Sequence, residues 1–164
     1  MVLNKIKNVL FVCMGNTARS PAAEYLGRYY AKKYDANLEF DSCGFFNAFS
    51  YMQPESQEFL KSKGIDPSSF NPKIISKSLL EKKDLILTME QSHSIDIVNN
   101  FRNVNNIDKK TFTLKEFNGE KSDLDIIDPY YTTSTLYDKI LKIIDKNVEK
   151  AVKKIIEINE SNKK

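Results

Sequence analysis

The order of apolar and polar positions predicts a chain in which strands and helices alternate. Four short apolar or alternating runs are typical of strands, at residues 9–12, 38–42, 84–89 and 111–114. Apolar residues at helical spacing predict helices between and after these runs, at residues 20–33, 54–64, 78–83, 90–101 and from Thr133 or Ser134 onward. This alternation favours an α/β fold with a parallel sheet and right-handed crossovers.

Several details of these elements are expected from local chemistry. Ser20 followed by Pro21 predicts an N-cap and first position of the first helix. In the helix over 90–101 we expect Ile95, Val98 and Phe101 to face inward. The last helix has a long apolar stripe, and residues 159–164 are expected to fray. The stripe consists of Leu136, Ile140, Leu141, Ile144, Val148, Ala151, Val152 and Ile155.

Parallel sheets bind ligands beyond the carboxyl ends of their strands. Cys13, Ser42 and Glu90 each lie at or just past the end of a predicted strand. We therefore expect one cleft to bring them together. Residues 45–53 and 115–133 show little periodicity and are predicted to be loops, and long loops in compact domains are often functional.

Length and composition limit the class of protein. The 164 residues are expected to form one domain over residues 1–164. A net charge of +3 is too small to indicate nucleic-acid binding, and no run approaches the length of a membrane span. Residues 1–7 are too short and polar for a signal peptide, and two cysteines do not make a disulfide scaffold. We therefore expect a cytoplasmic protein whose cysteines stay reduced.

The loop from Cys13 to Arg19 carries the candidate chemistry. A cysteine at a strand end is often an inert core residue, but here it is followed by a loop without charged or β-branched residues apart from Thr17, and then by a helix. Backbone N–H groups of such a loop and a helix N-terminus bind oxyanions, and the Arg19 fork could clasp two phosphate oxygens. The same groups favour the nucleophilic thiolate of Cys13, to which Ser20 could donate a hydrogen bond. The N–H groups belong to Met14, Gly15, Asn16, Thr17 and Ala18.

With Cys13, Arg19 and Ser20 near the N-terminus and the motif 128–131 (Asp-Pro-Tyr-Tyr) far downstream, the chain resembles the low-molecular-weight protein tyrosine phosphatases. The likeness extends to residues 42–44, 63–66 and 84–89. It implies a flavodoxin-like, three-layer domain, in which a four-stranded parallel sheet has helices on both faces. It also implies hydrolysis of phosphotyrosine in proteins through a phosphocysteine, with no metal or cofactor, by a protein that we expect to be a monomer.

The resemblance also assigns the acid and the pocket walls. It selects Asp128 as the general acid, although residue chemistry alone does not distinguish it from Asp123 or Asp125. It places Tyr130 against the substrate ring, and Tyr130 and Tyr131 resemble tyrosines that are phosphorylated in some members. The aromatic loop should form the opposite wall, and the wall residue is left open among Phe45, Phe46, Phe49 and Tyr51.

The chain departs from the family pattern at several positions. Many relatives have a second cysteine where this chain has Ala18, so Cys43 is either a substitute redox partner or a buried structural thiol. The resemblance implies that Ser20 and Ser42 hold Asn16, but the histidine that often joins them is missing. Glu90 replaces a common aspartate, which leaves its role open. The only histidine, His93, is expected on the surface of a helix.

Two other functions are compatible with such a loop. A thiol-dependent arsenate reductase shares the fold and the anion loop, but that chemistry needs further cysteines, and only Cys43 is available. A non-catalytic phosphotyrosine-binding module would be favoured if Cys13, Arg19 or Asp128 were replaced, and all three are present. Hydrolysis of phosphotyrosine is therefore the leading hypothesis.

Overall fold

The computed structural model describes residues 3–163 and contains one four-stranded sheet. The strands lie in the order β2-β1-β3-β4 and are all parallel. In the register, Cys13 lies opposite Gly44, and Val12 lies opposite both Cys43 and Thr88. The carboxyl ends of the three longest strands therefore meet at one edge. The strands are β1 (Asn8–Cys13), β2 (Glu39–Gly44), β3 (Leu85–Thr88) and β4 (Thr111–Thr113).

Seven helices connect and cover these strands within the described residues. Two of them, α5 and α6, are not predicted from the sequence because four residues are too few to show a helical period. Across residues 3–163, no helix combines the length and apolar character that a membrane span requires. The helices are α1 (Arg19–Lys33), α2 (Pro54–Ser62), α3 (Lys77–Glu81), α4 (Gln91–Asn100), α5 (Ile107–Lys110), α6 (Leu114–Phe117) and α7 (Ser134–Ser161).

Alternate side chains of β1 enter two separate cores, because successive residues of a strand point to opposite faces. Val9, Phe11 and Cys13 pack with residues of α1 and α7. Leu10 and Val12 pack with residues of α3, α4 and α5 on the other face. Both faces are thus covered by helices, which confirms the predicted three-layer, flavodoxin-like α/β fold.

Two local predictions about helices are wrong. Helix α1 begins at Arg19 with Ala18 in the N-cap position and no side-chain cap, because the Ser20 hydroxyl is engaged inside the loop. In α4, Ile95 is 58% exposed, so its predicted inward position is wrong, whereas Phe101 packs against the core as predicted and Val98 is half-buried. The fully buried positions of this helix are His93 and Ile97. The apolar pattern missed His93 because a polar residue at a buried helix position gives no apolar signal.

The last helix also differs at both ends from the prediction. Leu136, in the first turn, is exposed, whereas the other seven residues of the predicted stripe are buried. Helix α7 continues through Ser161, so the expected fraying from residue 159 is wrong for residues 159–161. Asn159 holds this end in place, because it accepts a hydrogen bond from Ile6 N (2.8 Å) and donates one to Ile6 O (2.8 Å). Lys164 lies outside the described residues.

Candidate active site

The loop between β1 and α1 wraps around the sulfur of Cys13. Cys13 is 2% exposed and ends the central strand, so the loop starts at the carboxyl edge of the sheet. Its Sγ lies 2.9 Å from Ser20 Oγ. Asn16 has φ = 53°, in the left-handed region, and this residue turns the chain within the loop. Helix α1 follows directly, so its N-terminus and positive dipole end are next to the sulfur.

The Asn16 side chain fixes the loop with three hydrogen bonds. Its Nδ2 donates to Ser20 Oγ and to Ser42 Oγ, each at 2.9 Å. Its Oδ1 accepts from Lys73 N at 2.9 Å. The two serine contacts are those that the resemblance implied, and the backbone N–H of Lys73 is the third partner.

These contacts also set the direction of the Ser20 hydroxyl. Asn16 Nδ2 is only a donor, so Ser20 Oγ accepts there and keeps its own proton for another acceptor. That acceptor is Cys13 Sγ at 2.9 Å, since the alternative, Cys43 O, is 3.5 Å away. Ser20 is therefore oriented to donate a hydrogen bond to the sulfur, which favours a negative charge there.

Glu24 extends this network, and sequence reasoning did not identify it. Ser42 Oγ donates to Glu24 Oε1 at 2.5 Å, and Arg28 Nη2 lies 2.5 Å from Oε2. Glu24 is 5% exposed, and burial raises the pKa of its carboxyl group above the ordinary 4.5, against the lowering effects of Ser42 and Arg28. The available sequence signal is its place in α1, one turn after Ser20 and on the same face.

Arg19 is buried but keeps three oxygen atoms close to its guanidinium group. Nη1 donates to Glu90 Oε2 at 2.5 Å and to Ile126 O at 2.7 Å. Nη2 lies 3.8 Å from Asp128 Oδ2. Arg19 is 1% exposed, so these contacts hold a charged group that would otherwise be costly to bury. Glu90, whose role the sequence left open, therefore anchors Arg19 at one nitrogen and leaves the Nη2 side facing Asp128.

A cavity of about 310 Å³ opens above Cys13 and Arg19. Asp128 lies at its rim with its side chain 50% exposed, and its Oδ1 accepts a hydrogen bond from Tyr130 N at 3.0 Å. Neither Asp123 nor Asp125 lines this cavity. The lining residues are Cys13, Met14, Gly15, Thr17, Ala18, Arg19, Phe46, Asn47, Ala48, Phe49, Gln53, Asp128 and Tyr130.

The aromatic wall that the sequence left open consists of Phe46 and Phe49. The Phe49 ring lies 5.5 Å from the Tyr130 ring in an edge arrangement, so these two residues meet across the mouth of the cavity. Tyr51 packs beside Phe49, at 5.7 Å, and does not line the cavity. Phe45 packs against His93. An aromatic ring entering the cavity would therefore contact Phe46, Phe49 and Tyr130.

Two glycines allow the loop to pack this closely. A Cβ at Gly44 would lie 2.7 Å from Asn16 N and 2.8 Å from Met14 O, both backbone atoms. A Cβ at Gly15 would lie 2.6 Å from Ala48 Cβ. The end of β2 and the aromatic loop therefore pack directly on the anion loop.

The second cysteine is on the opposite face of the sheet. Cys43 is fully buried among residues of the α3–α5 side, whereas Cys13 packs on the α1–α7 side. Both are free thiols, and burial raises the pKa of Cys43. Cys43 is thus a buried structural thiol. It cannot reach Cys13 and so cannot act as the redox partner that is missing at position 18.

Two further residues, missed by sequence reasoning, support the loop from the α1–α7 side. Ser56 Oγ donates to Ala18 O at 3.1 Å and lies 2.9 Å from the Tyr137 hydroxyl. Both side chains are buried, and burial raises the pKa of Tyr137. A single serine and tyrosine in amphipathic helices give no sequence signal for this contact.

His93 is buried, so the prediction of a surface histidine is wrong. It is 1% exposed, and its Nε2 lies 3.5 Å from Glu90 Oε2. Burial and the nearby charge of Arg19 lower its pKa below the ordinary 6.5. The only histidine is therefore a neutral neighbour of the pair that holds the loop arginine.

A larger groove of about 680 Å³ lies at the opposite edge of the sheet, near the start of β1 and β3. Its walls are formed mainly by lysine and asparagine side chains, including Lys5, Lys109 and Asn106. It includes no cysteine, serine or histidine. The smaller cavity above Cys13 is therefore the candidate site for covalent chemistry.

A cysteine at a strand end, an anion-binding loop and a helix N-terminus on this fold define a thiol-dependent phosphatase site. Residues 8–162 match the family described as low molecular weight phosphotyrosine protein phosphatase, and the chain belongs to that family. The prediction of an enzyme of this family is confirmed.

Three relatives show how close the similarity is. The low molecular weight protein-tyrosine-phosphatase Ptp of Acinetobacter johnsonii is 32% identical over 141 residues, covering 85% of this chain and 92% of the relative. A protein-arginine-phosphatase of Bacillus subtilis is 32% identical over 131 residues, which cover 79% of this chain and 84% of that relative. The crystal structure of a low molecular weight protein tyrosine phosphatase from T. tengcongensis is 34% identical, with a TM-score of 0.81, covering 90% of this chain and 99% of that one.

Proposed function

We propose that this protein hydrolyses phosphotyrosine in proteins by two transfers of one phosphoryl group. In the first, the Cys13 thiolate attacks phosphorus as the bond to the phenolic oxygen breaks. The loop N–H groups and Arg19 bind the three non-bridging oxygens. Asp128, as the carboxylic acid, gives its proton to the departing oxygen, so tyrosine leaves neutral and Cys13 carries the phosphoryl group.

In the second transfer, water replaces the sulfur. The Asp128 carboxylate accepts a proton from water as its oxygen attacks phosphorus, and the sulfur–phosphorus bond breaks. Inorganic phosphate and the Cys13 thiolate are the products, and Asp128 is again protonated. Ser20 donates to the sulfur and so lowers the cost of its departure as an anion.

One observation carries this proposal. Cys13 Sγ lies 2.9 Å from Ser20 Oγ, whose proton has no nearer acceptor, at the cavity that Arg19 and Asp128 also line. The aromatic residues at the mouth support an aryl substrate, since rings pack favourably edge-on or offset. The volume of about 310 Å³ suits a single side chain rather than a large cofactor.

A second substrate, phosphoarginine, is favoured by specific observations. One relative of equal identity is named a protein-arginine-phosphatase. The cavity also combines a carboxylate, Asp128, with aromatic faces at Phe46, Phe49 and Tyr130, and both bind a guanidinium group. The Thr17 hydroxyl on the wall could accept one of its N–H groups.

Hydrolysis of matched peptides that contain phosphotyrosine, phosphoarginine or phosphoserine tests the substrate. We expect the phosphotyrosine peptide to be cleaved with the highest kcat/KM and the phosphoserine peptide to be inert, because a short side chain does not reach the sulfur. A higher kcat/KM for the phosphoarginine peptide would show that phosphoarginine, and not phosphotyrosine, is the preferred substrate. Cys13→Ser is the control, and activity that survives it would rule out the phosphocysteine route.

The role of Asp128 is tested with two leaving groups. Asp128→Asn should lower turnover of an aryl phosphate with a basic leaving group by roughly 10²–10⁴ and affect an activated aryl phosphate less. Asp123→Asn, outside the cavity, is the matched control. Equal losses for both leaving groups would show that Asp128 is not the acid.

We also infer a cytoplasmic monomer whose partners are phosphotyrosine proteins. Two free cysteines support a reducing compartment, and the thiolate mechanism requires one. Trapping with the Cys13→Ser variant would identify the partners, and light scattering would measure the oligomeric state. A dimer at micromolar concentration would contradict the monomer.

A further inference from the structure

Within residues 3–163, the buried side chain of His93 has no hydrogen-bond partner. It lies in the first turn of α4 and is 1% exposed, and neither Nδ1 nor Nε2 has a partner among the described residues. Its ring packs against Phe45, with 5.7 Å between centroids. Buried polar groups are almost always paired, because an unpaired one loses its hydration without compensation. A role beyond packing would account for a histidine here.

The ring lies beside the carboxylate that holds the loop arginine. His93 Nε2 is 3.5 Å from Glu90 Oε2, and the same oxygen accepts from Arg19 Nη1 at 2.5 Å. Glu90 is the N-cap residue of α4, three positions before His93, so the helix fixes their separation. A movement of the Glu90 side chain by about half an ångström would form a normal hydrogen bond to the imidazole.

The charges around the ring favour its neutral form. Arg19 faces it from α1, Glu90 and Asp96 from α4, and Asp125 from the loop before α7. Burial, followed by the charge of Arg19, lowers the pKa of His93, and the three carboxylates oppose this only in part. At pH 7 the imidazole therefore has one N–H donor and no charge to compete with Arg19 for Glu90.

We propose that His93 is a positioning residue for Arg19: its Nε2–H directs the Glu90 carboxylate, and Glu90 orients the guanidinium that receives the phosphoryl group. The inference rests on the proposed function, in which Arg19 binds the transferred group. Glu90 has its side chain 29% exposed, and the buried His93 ring lies against the oxygen that binds Arg19. His93 supplies the inner anchor that keeps Oε2 on Arg19 when phosphate draws the guanidinium toward the cavity.

Proton NMR tests the contact between the two side chains. The sequence has one histidine, so in tag-free protein the imidazole signals belong to His93 without further assignment. We expect a titration midpoint below 6.5, and a lower one in Glu90→Gln, because that change removes a carboxylate that favours the protonated ring. Asp138→Asn, on the opposite face of the sheet, is the matched control. An unchanged midpoint in Glu90→Gln would overturn the proposal.

Binding of inorganic phosphate tests the consequence. Gln has an amide nitrogen close to the position of the imidazole Nε2, whereas Leu has no donor. We expect His93→Leu to raise the Kd for phosphate by roughly 10-fold, the lower end of the value of a hydrogen bond to a charged group, and His93→Gln to stay within about twofold. Ser92→Ala, on the exposed side of α4, is the control. Wild-type affinity in His93→Leu, or an equal loss in both variants, would overturn the proposal.

These measurements are independent of turnover. If the protein cleaved none of the phosphopeptides, the proposed function would fail while NMR and phosphate binding still reported on His93. If the peptides were cleaved but the His93 results were negative, only the positioning role would fail. The NMR titration uses the native histidine, so an unchanged midpoint in Glu90→Gln overturns the proposal even where His93→Leu does not fold.

Discussion

At the scale of single residues, Ser20 connects the sulfur to the side chain that shapes the loop. It accepts from Asn16 and donates to Cys13, so one hydroxyl serves both the geometry and the charge of the site. Ser42 repeats the pattern one step further out, accepting from Asn16 and donating to Glu24. Each hydroxyl has its proton direction set by the amide between them.

Ser20→Ala is expected to slow the second transfer more than the first. A hydrogen bond to a charged group is worth about 1.5–3 kcal/mol. Cleavage of the sulfur–phosphorus bond, in which the sulfur departs as an anion, should therefore be roughly 10- to 100-fold slower. Rapid-mixing measurements with an activated aryl phosphate should then show a larger burst of phenol and a slow steady state. Ser50→Ala, in the exposed aromatic loop, should behave as wild type. A steady-state rate unchanged in Ser20→Ala would contradict the role assigned to the hydroxyl.

Glu24 predicts a pH dependence of stability. Its folded-state pKa lies above the ordinary 4.5, so between the two values the folded protein holds a proton that the unfolded chain has released. Stability from this group is therefore fully present below pH 4.5 and is lost as pH rises through the folded pKa. Urea denaturation from pH 4 to 7 should show a steeper decline in wild type than in Glu24→Gln. Parallel curves would argue against a raised pKa.

At the scale of elements, the site depends on how closely β2 approaches the loop after β1. The two strands pair in register to their last residues, Cys13 and Gly44. Because Gly44 has no side chain, the backbone of Met14 to Asn16 passes directly over it. The next peptide strengthens the contact, since Phe45 N donates to Met14 O at 2.7 Å.

Gly44→Ala is expected to displace the loop. The added methyl group would meet backbone atoms at 2.7–2.8 Å, which a side-chain rotation cannot relieve. We expect a loss of about 1–3 kcal/mol in stability and, because a 1 Å shift of catalytic groups is costly, a fall in kcat/KM of about 100-fold. Thermal unfolding and aryl phosphate kinetics would measure both, with Ser50→Ala as the control. Wild-type kinetics in Gly44→Ala would show that the loop tolerates the shift.

The elements that could be predicted are those with a long or alternating apolar pattern. The four strands and the helices around Leu60 and Ile144 could be predicted from the spacing of their apolar residues, because an element that buries one face needs apolar residues at regular intervals. The loop around Cys13 was predictable because its residue types suit an oxyanion. Helices α5 and α6 were not, since one turn has no period.

What the sequence could not provide are contacts between residues distant in the chain. Lys73 N reaches Asn16 across 57 positions, and Ile126 O reaches Arg19 across 107. Backbone groups have no sequence signature, so neither partner was identifiable. His93 was placed on the surface because its burial depends on Phe45, which lies 48 positions earlier.

At the scale of the whole molecule, the two ends of the described chain meet. Asn159 bonds both backbone groups of Ile6, and Asn162 Nδ2 donates to Leu3 O at 3.1 Å. The end of α7 is thereby tied to the segment that leads into β1. Hydrogen bonds thus join the segment before β1 to the end of α7, the longest helix.

Asn159→Ala should destabilise the fold and leave catalysis intact. Losing the two hydrogen bonds to Ile6 is expected to cost about 1–3 kcal/mol in the free energy of unfolding. The expected kcat/KM stays within about twofold of wild type, because local changes far from the reacting atoms leave their geometry intact. Urea denaturation checks the first value and aryl phosphate hydrolysis the second, with the exposed Glu160→Ala as the control. A large loss of activity with unchanged stability would contradict this separation.

Because residues 3–6 and 159–162 lie side by side, both chain ends are suitable points for attaching a label or a support. Residues 3–6 and 159–162 lie at the amino edge of the sheet, and the cavity above Cys13 opens at the carboxyl edge. A linker, a fluorophore or a solid support fixed at either end therefore leaves the mouth of the cavity unobstructed. A short peptide joining the two ends, with new termini opened in an exposed loop away from the cavity, would give a permuted protein with the same catalytic face.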